Sequence, residues 1–161
     1  VYMPWWLDNA RLDFARGYHI EVWGGLGQPS YGFMGGIHRH PGFRGAGHGA
    51  ALKAEYRRLY GATIGFSGRG EMIPNDQSYA ELDPQVVDQW GIPVLRFHWA
   101  WTDHERNQSR HMQQTFRALI QQMGGTVFGD MPSKEQDYGL APGGRIIHEL
   151  GGTRMGADPK T

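Results

Sequence analysis

Residues 93–123 read PVLRFHWAWTDHERNQSRHMQQTFRALIQQM and hold a strand pattern followed by a helix pattern. Side chains alternate between two faces over residues 94–101, as in a β-strand. One face carries Leu95, Phe97, Trp99 and Trp101, and the other carries Val94, Arg96, His98 and Ala100. The alternation predicts a half-buried strand that begins after Pro93.

The pattern then changes to a helical period. Asp103 can cap a helix that runs to Met123, and Gly124-Gly125 ends it. The predicted apolar stripe is Met112, Phe116, Leu119, Ile120 and Met123, and the predicted water-facing residues are Arg106, Arg110 and Gln114. This stripe predicts a helix that packs on a neighbouring sheet.

The same reasoning predicts further elements on either side. We expect strands at 18–23, 62–69, 78–82 and 145–150, an amphipathic helix at 46–60 that Gly61 closes, and a loop at 129–145. Asp83-Pro84 is expected to end the 78–82 strand by turn chemistry. The order of elements predicts an α+β fold with a mostly antiparallel sheet flanked by helices.

Composition excludes some functional classes. The 161 residues carry 16 Lys+Arg and 16 Asp+Glu, so no net charge favours nucleic acid. The absence of cysteine excludes structural disulfides and thiolate metal sites. No apolar run is long enough to span a membrane. The 13 Trp and Tyr residues supply apolar surface for a folded chain and could also stack on sugars.

Several local patterns raise functional questions. Arg96 and His98 share a strand face and could contact the hydroxyl groups of a substrate, although a partly exposed structural face is the alternative. The pair His38 and His40 could ligate a metal, with His48 nearby in sequence, but the pattern defines no third ligand, so we expect no metal site. The glycines at 24–27 do not complete a G-x-G-x-x-G fingerprint, so we expect ordinary turns there.

The segment HELGGTRMGADP at residues 148–159 carries the most information. It places a histidine at a predicted strand end, directly before glycines that let backbone approach a ligand. This segment resembles the C-terminal histidine motif of the glucose-methanol-choline (GMC) flavoprotein oxidoreductases, and is most similar to the sugar and sugar-acid dehydrogenases among them. The strand at 94 and the helix from Asp103 also resemble that family's substrate domain.

The resemblance implies an FAD-dependent oxidoreductase acting on the CH-OH group of a sugar, sugar acid or glycoside. Hydride would pass to N5 of the flavin, with His148 as general base. Many relatives have Gly-Thr-Cys after that histidine, whereas this chain has Gly151-Gly152-Thr153.

The family's FAD glycine box and its second active-site residue are not present in this sequence. We therefore expect a fragment, inactive alone, with residues 1–145 in the substrate-binding domain and 146–161 beginning the segment that returns to the active site and the FAD domain. The expected partners are a small alcohol or sugar, the remainder of the flavoprotein, and an electron acceptor such as oxygen, a quinone or a cytochrome.

Two matters stay open at this point. A non-catalytic carbohydrate-binding or scaffold domain is the alternative function, because aromatic residues stack on sugars. The compartment, periplasmic or cytoplasmic, is undetermined.

Overall fold

The computed structural model describes residues 10–24, 40–45, 47–146 and 156–158, together with Ile37 and the backbone of residues 2–3. The strands within these residues are β1 (Tyr2–Met3), β2 (Tyr18–Gly24), β3 (Ile64–Gly70), β4 (Tyr79–Val87) and β5 (Pro93–His98). The helices are α1 (Gly49–Leu59) and α2 (Asp103–Gln122), and a 3₁₀ segment spans Lys134–Gly139. The strands form two antiparallel sheets, β1-β2-β3 and β4-β5. The predicted α+β class is therefore confirmed.

The first sheet packs on α2. The buried core between them consists of Phe14, Tyr18, Ile20 and Met112. Phe66 of β3 and Phe116 of α2 stack at the edge of this core, with ring centroids 5.7 Å apart. The apolar stripe predicted for the helix thus packs against this sheet, although its last member, Met123, is exposed.

Helix α1 builds a second, smaller core from Ile37, Leu52 and Leu59. Arg58 and Glu55 hold the preceding loop on this helix: Arg58 donates to the carbonyl of Gly42 at 2.6 Å, and Glu55 accepts the Arg44 N–H at 3.0 Å. The hydrogen bond from Arg58 lowers the pKa of Glu55 to about 2. The helix predicted at 46–60 is confirmed within a few residues at its N-terminal end.

Strands β4 and β5 form a hairpin whose register fixes its two faces. Leu82 pairs with Leu95, and Glu81 pairs with Arg96. The strand prediction for β4 was wrong at its end, because Asp83-Pro84 produces a register shift while the strand continues to Val87. Oδ1 of Asp83 accepts hydrogen bonds from the N–H groups of Gln85 and Val86 at 2.8 Å. These bonds satisfy backbone donors where the pairing of β4 with β5 is irregular.

Two further boundaries and one predicted loop differ from the sequence predictions. Thr102, rather than Asp103, caps α2, because its side chain and that of Glu105 form a capping box. Strand β5 ends at His98 and not at residue 101. The predicted 129–145 loop contains a 3₁₀ segment, in which Asp137 and Tyr138 take left-handed φ values of 47° and 52°.

Of the strand predicted at 145–150, residues 147–150 lie outside the described part of the chain, and 145–146 are not in a strand. Across the described residues, neither helix has the length and apolar character needed to cross a bilayer.

Candidate functional site

The hairpin presents one polar face that carries both substrate-binding candidates. Arg96 and His98 lie on it opposite Glu81 and Tyr79, as the register shows. The opposite face is apolar and open to solvent, with Leu82, Leu95 and Phe97 each more than half exposed. The alternation predicted for residues 94–98 therefore places Arg96 and His98 together on one face.

His98 is fixed by two neighbours from β4. Its Nε2 lies 2.8 Å from Oε1 of Glu81, and its ring stacks on that of Tyr79 with centroids 4.2 Å apart. The carboxylate orients the imidazole and the phenol ring limits its tilt. This arrangement offers an oriented imidazole and, two residues before it, a guanidinium to a polar ligand.

A cavity of about 560 Å³ opens where β5 ends. Trp99 and Trp101 form two of its walls at right angles, with ring centroids 5.2 Å apart and an interplanar angle of 88°. Gln77, Arg106 and Asp137 supply its polar lining. The chain after the 3₁₀ segment, including Gly143, closes one side.

The charged pair in this cavity is held by α2 and the 3₁₀ segment. Nε of Arg106 donates to Oδ1 of Asp137 at 2.7 Å, and this bond raises the pKa of the guanidinium. Ser109, one turn further along α2, donates to the carbonyl of Tyr138 at 2.9 Å. The two bonds hold Asp137 and Tyr138 in their left-handed conformation, which few non-glycine residues adopt.

Sequence reasoning missed this cavity for two reasons. Trp99 and Trp101 were assigned to a sheet face, whereas the chain leaves the sheet after His98. Arg106 was expected to face water, but its partner Asp137 comes from a segment predicted as loop. The proximity of two tryptophans to a helix start was the available signal.

Three other histidines, His40, His104 and His111, have structural partners. Nε2 of His40 lies 2.5 Å from Oγ1 of Thr63, and Nδ1 of His40 accepts the Gly42 N–H at 3.0 Å. His104 and His111 of α2 both lie edge-on to the ring of Phe14. Of the three histidines considered as metal ligands, His38 lies outside the described residues, and His48 precedes α1 without a capping side-chain hydrogen bond.

His148 lies outside the described residues, so its surroundings are not part of the structure. The described segment that leads toward it ends at Ile146, close in sequence to the cavity wall at Gly143. The cavity wall and the histidine motif are therefore neighbours in sequence.

Comparisons with known proteins agree with the motif. Residues 74–161, more than half of the chain, match the family model of the GMC oxidoreductases. The chain is also 26% identical over 116 residues to the gluconate 2-dehydrogenase flavoprotein of Pantoea cypripedii, an alignment that covers 70% of this chain and 18% of the relative. The chain thus spans under a fifth of that relative's length. No solved structure matches significantly.

Proposed function

Because the chain belongs to the GMC oxidoreductase family, we propose that it forms part of an FAD-dependent oxidoreductase acting on the CH-OH group of a sugar, sugar acid or glycoside. The observation that carries the proposal is the family match over residues 74–161, which includes both the polar hairpin face and the histidine motif. In this proposal residues 1–145 belong to the substrate-binding domain, and 146–161 begin the segment that returns to the active site.

The described residues do not fit FAD by themselves. Their two sheets are antiparallel, and no strand in the described part of the chain leads through a G-x-G-x-x-G turn into a helix. We therefore assign the FAD cradle to the remainder of the flavoprotein. FAD bound there would supply the acceptor for the hydride that leaves the alcohol carbon.

This chain's part of the proposed chemistry is proton transfer at His148. A neutral imidazole nitrogen accepts the hydroxyl proton as the carbonyl forms, and releases it after the product leaves. Protonated His148 has no free lone pair for this task, so the rate should fall in acid.

Arg96 and His98 are proposed to orient the substrate. A guanidinium donates to hydroxyl oxygens, and a neutral imidazole whose Nε2–H donates to Glu81 can accept a hydrogen bond at Nδ1. Their common face puts both groups on one side of the hairpin, as hydrogen bonding to neighbouring hydroxyls requires.

The test uses the intact flavoprotein that contains this chain. Its visible spectrum is recorded anaerobically before and after addition of sugars, sugar acids and glycosides. A flavin spectrum bleached by one of them supports the proposal and identifies a substrate. Reoxidation with oxygen, a quinone or a cytochrome then identifies the electron acceptor. A colourless protein overturns the proposal and favours the carbohydrate-binding alternative.

The base is tested separately with His148→Ala. Loss of a general base should slow flavin reduction by about 10² to 10⁴-fold. The matched control is His48→Ala, because His48 is exposed and its side chain makes no capping bond. Equal rates in the two variants would remove the assignment of His148.

A further inference from the structure

We propose that the cavity lined by Trp99, Trp101, Arg106 and Asp137 is a subsite for an uncharged sugar and disfavours sugar acids. The inference deepens the proposed function, on which it rests for the presence of a sugar substrate. It concerns residues other than His148, Arg96 and His98.

The aromatic walls suit the shape of a sugar. Two indoles at 88° form a corner, in which one ring can stack on the C–H face of a pyranose and the other can pack against its edge. Trp99 is 39% exposed, so its ring is open to a ligand. A volume of about 560 Å³ is ample for one monosaccharide and bound water.

The polar groups supply both kinds of hydrogen bond that hydroxyl groups need. Arg106 only donates, and only one of its nitrogens is used by Asp137 at hydrogen-bond distance. Oδ2 of Asp137 has no hydrogen-bond donor among the described residues and can accept. The Gln77 amide can do both. A set of donors and acceptors beside an aromatic wall is typical of sugar recognition.

The charges around this cavity disfavour the binding of a sugar acid. Arg106 is the single cation among the described residues that line the cavity, and Asp137 neutralises it. Asp103, whose side chain is 91% exposed, lies 3.8 Å from another nitrogen of the same guanidinium and adds a second, water-screened negative charge beside the cavity. The described lining residues offer a carboxylate ligand no free cation to offset this negative charge. A neutral sugar carries no charge and is not repelled.

Gly143 lines the cavity and lies shortly before the histidine motif in sequence. A β-carbon at Gly143 would lie 2.6 Å from Cγ of Trp99, so backbone packs directly on the indole. His148 follows only five residues later. A sugar in the corner would therefore contact the segment that leads to the proposed base.

The test measures binding without turnover in the intact flavoprotein. Under anaerobic, dithionite-reduced conditions the flavin cannot accept hydride, so calorimetric titration reports affinity alone. The neutral probes are D-glucose, D-galactose and D-xylose, and the acidic probes are D-glucuronate and D-galacturonate, which keep the pyranose ring. D-glucose or D-galactose should bind about tenfold more tightly than its uronate, as one unfavourable charge contact would produce.

Two variants locate the binding. Asp137→Asn keeps a residue that tolerates the left-handed conformation, and it should weaken sugar binding about tenfold and reduce the discrimination against the uronate. Trp101→Leu should weaken sugar binding without that change in discrimination. The matched control is Asp13→Asn, which removes another carboxylate paired with α2, at Arg110.

Specific outcomes overturn the inference. They are a uronate that binds as tightly as its sugar, the absence of any neutral sugar binding, or unchanged affinity in Asp137→Asn. The oxidoreductase proposal fails by a different readout, the absence of a flavin that a substrate reduces. Sugar binding that is sensitive to Asp137 in a protein without such a flavin would uphold the subsite and reject the oxidoreductase.

Discussion

Gln108 of α2 packs so closely against Gly70 of β3 that a β-carbon at Gly70 would come within 1.8 Å of Oε1 of Gln108. The same amide donates to the carbonyls of Arg16 and Gly17 at 2.9 and 3.1 Å. The missing side chain at Gly70 therefore permits Gln108 to join the helix to the segment before β2.

Gly70→Ala should destabilise the protein. The methyl group would displace Gln108 and break its two bonds, which we expect to cost about 2–4 kcal/mol in the free energy of unfolding. Urea denaturation of the intact flavoprotein measures the change. Gly65→Ala is the matched control in the same strand, because the nearest atom to its β-carbon is 4.0 Å away. Equal effects of the two variants would contradict the packing argument.

Glu105→Gln should also lower stability. Glu105 is 3% exposed and accepts the Thr102 N–H at 2.7 Å and the Ile73 N–H at 3.0 Å. Burial alone would raise the pKa of Glu105, but the hydrogen bonds from Thr102 and Ile73 outweigh it and hold that pKa below its usual value. A glutamine turns one acceptor into a donor and should cost about 2 kcal/mol.

Glu71→Gln is the comparison for this measurement, since the Glu71 side chain is 64% exposed and lies 3.9 Å from Arg16. A loss in Glu71→Gln as large as that in Glu105→Gln would argue against a special role for the buried carboxylate.

His111→Gln should reduce the protein's sensitivity to acid. Burial lowers the pKa of His111 in the folded state, against a smaller opposing effect of Asp13. Unfolded His111 therefore binds a proton first as the pH falls below about 6.5, and stability falls from there toward the lower folded pKa. Unfolding free energies at pH 7 and pH 5 should differ less in His111→Gln than in the parent. His48→Gln should retain the parent's difference.

Arg96→Gln and His98→Gln should each raise KM for the substrate by about tenfold, the effect of losing one hydrogen bond to a substrate hydroxyl. Thermal stability should change little, because the hairpin face is open. His19→Gln is the matched control, since His19 lies 3.6 Å from Glu21 in a similar His–Glu pair on β2. An unchanged KM would restrict Arg96 and His98 to a structural role.

Periodicity predicted the elements whose side chains divide cleanly between two environments. Helix α2 is the clearest example, because Met112 and Phe116 pack on the sheet while Gln114 faces water. The β4 boundary was wrong because Pro84 can be accommodated where the ladder is already irregular.

The cavity depends on contacts that local sequence does not encode. Arg106 and Asp137 are 31 residues apart in sequence. The left-handed φ of Asp137 could not be predicted from the sequence, because left-handed positions are usually glycine. The relationship of His148 to these residues stays a prediction.

Helix α2 also determines the order in which the chain can fold. It binds residues 13–18 through hydrogen bonds that span 89 to 97 residues of sequence. During synthesis, the Tyr18 hydroxyl can form its hydrogen bonds with His111 and Thr115 only after both residues have left the ribosome. Closing so long a loop is slow. The first strands should therefore acquire lasting protection from hydrogen exchange only after α2 has emerged.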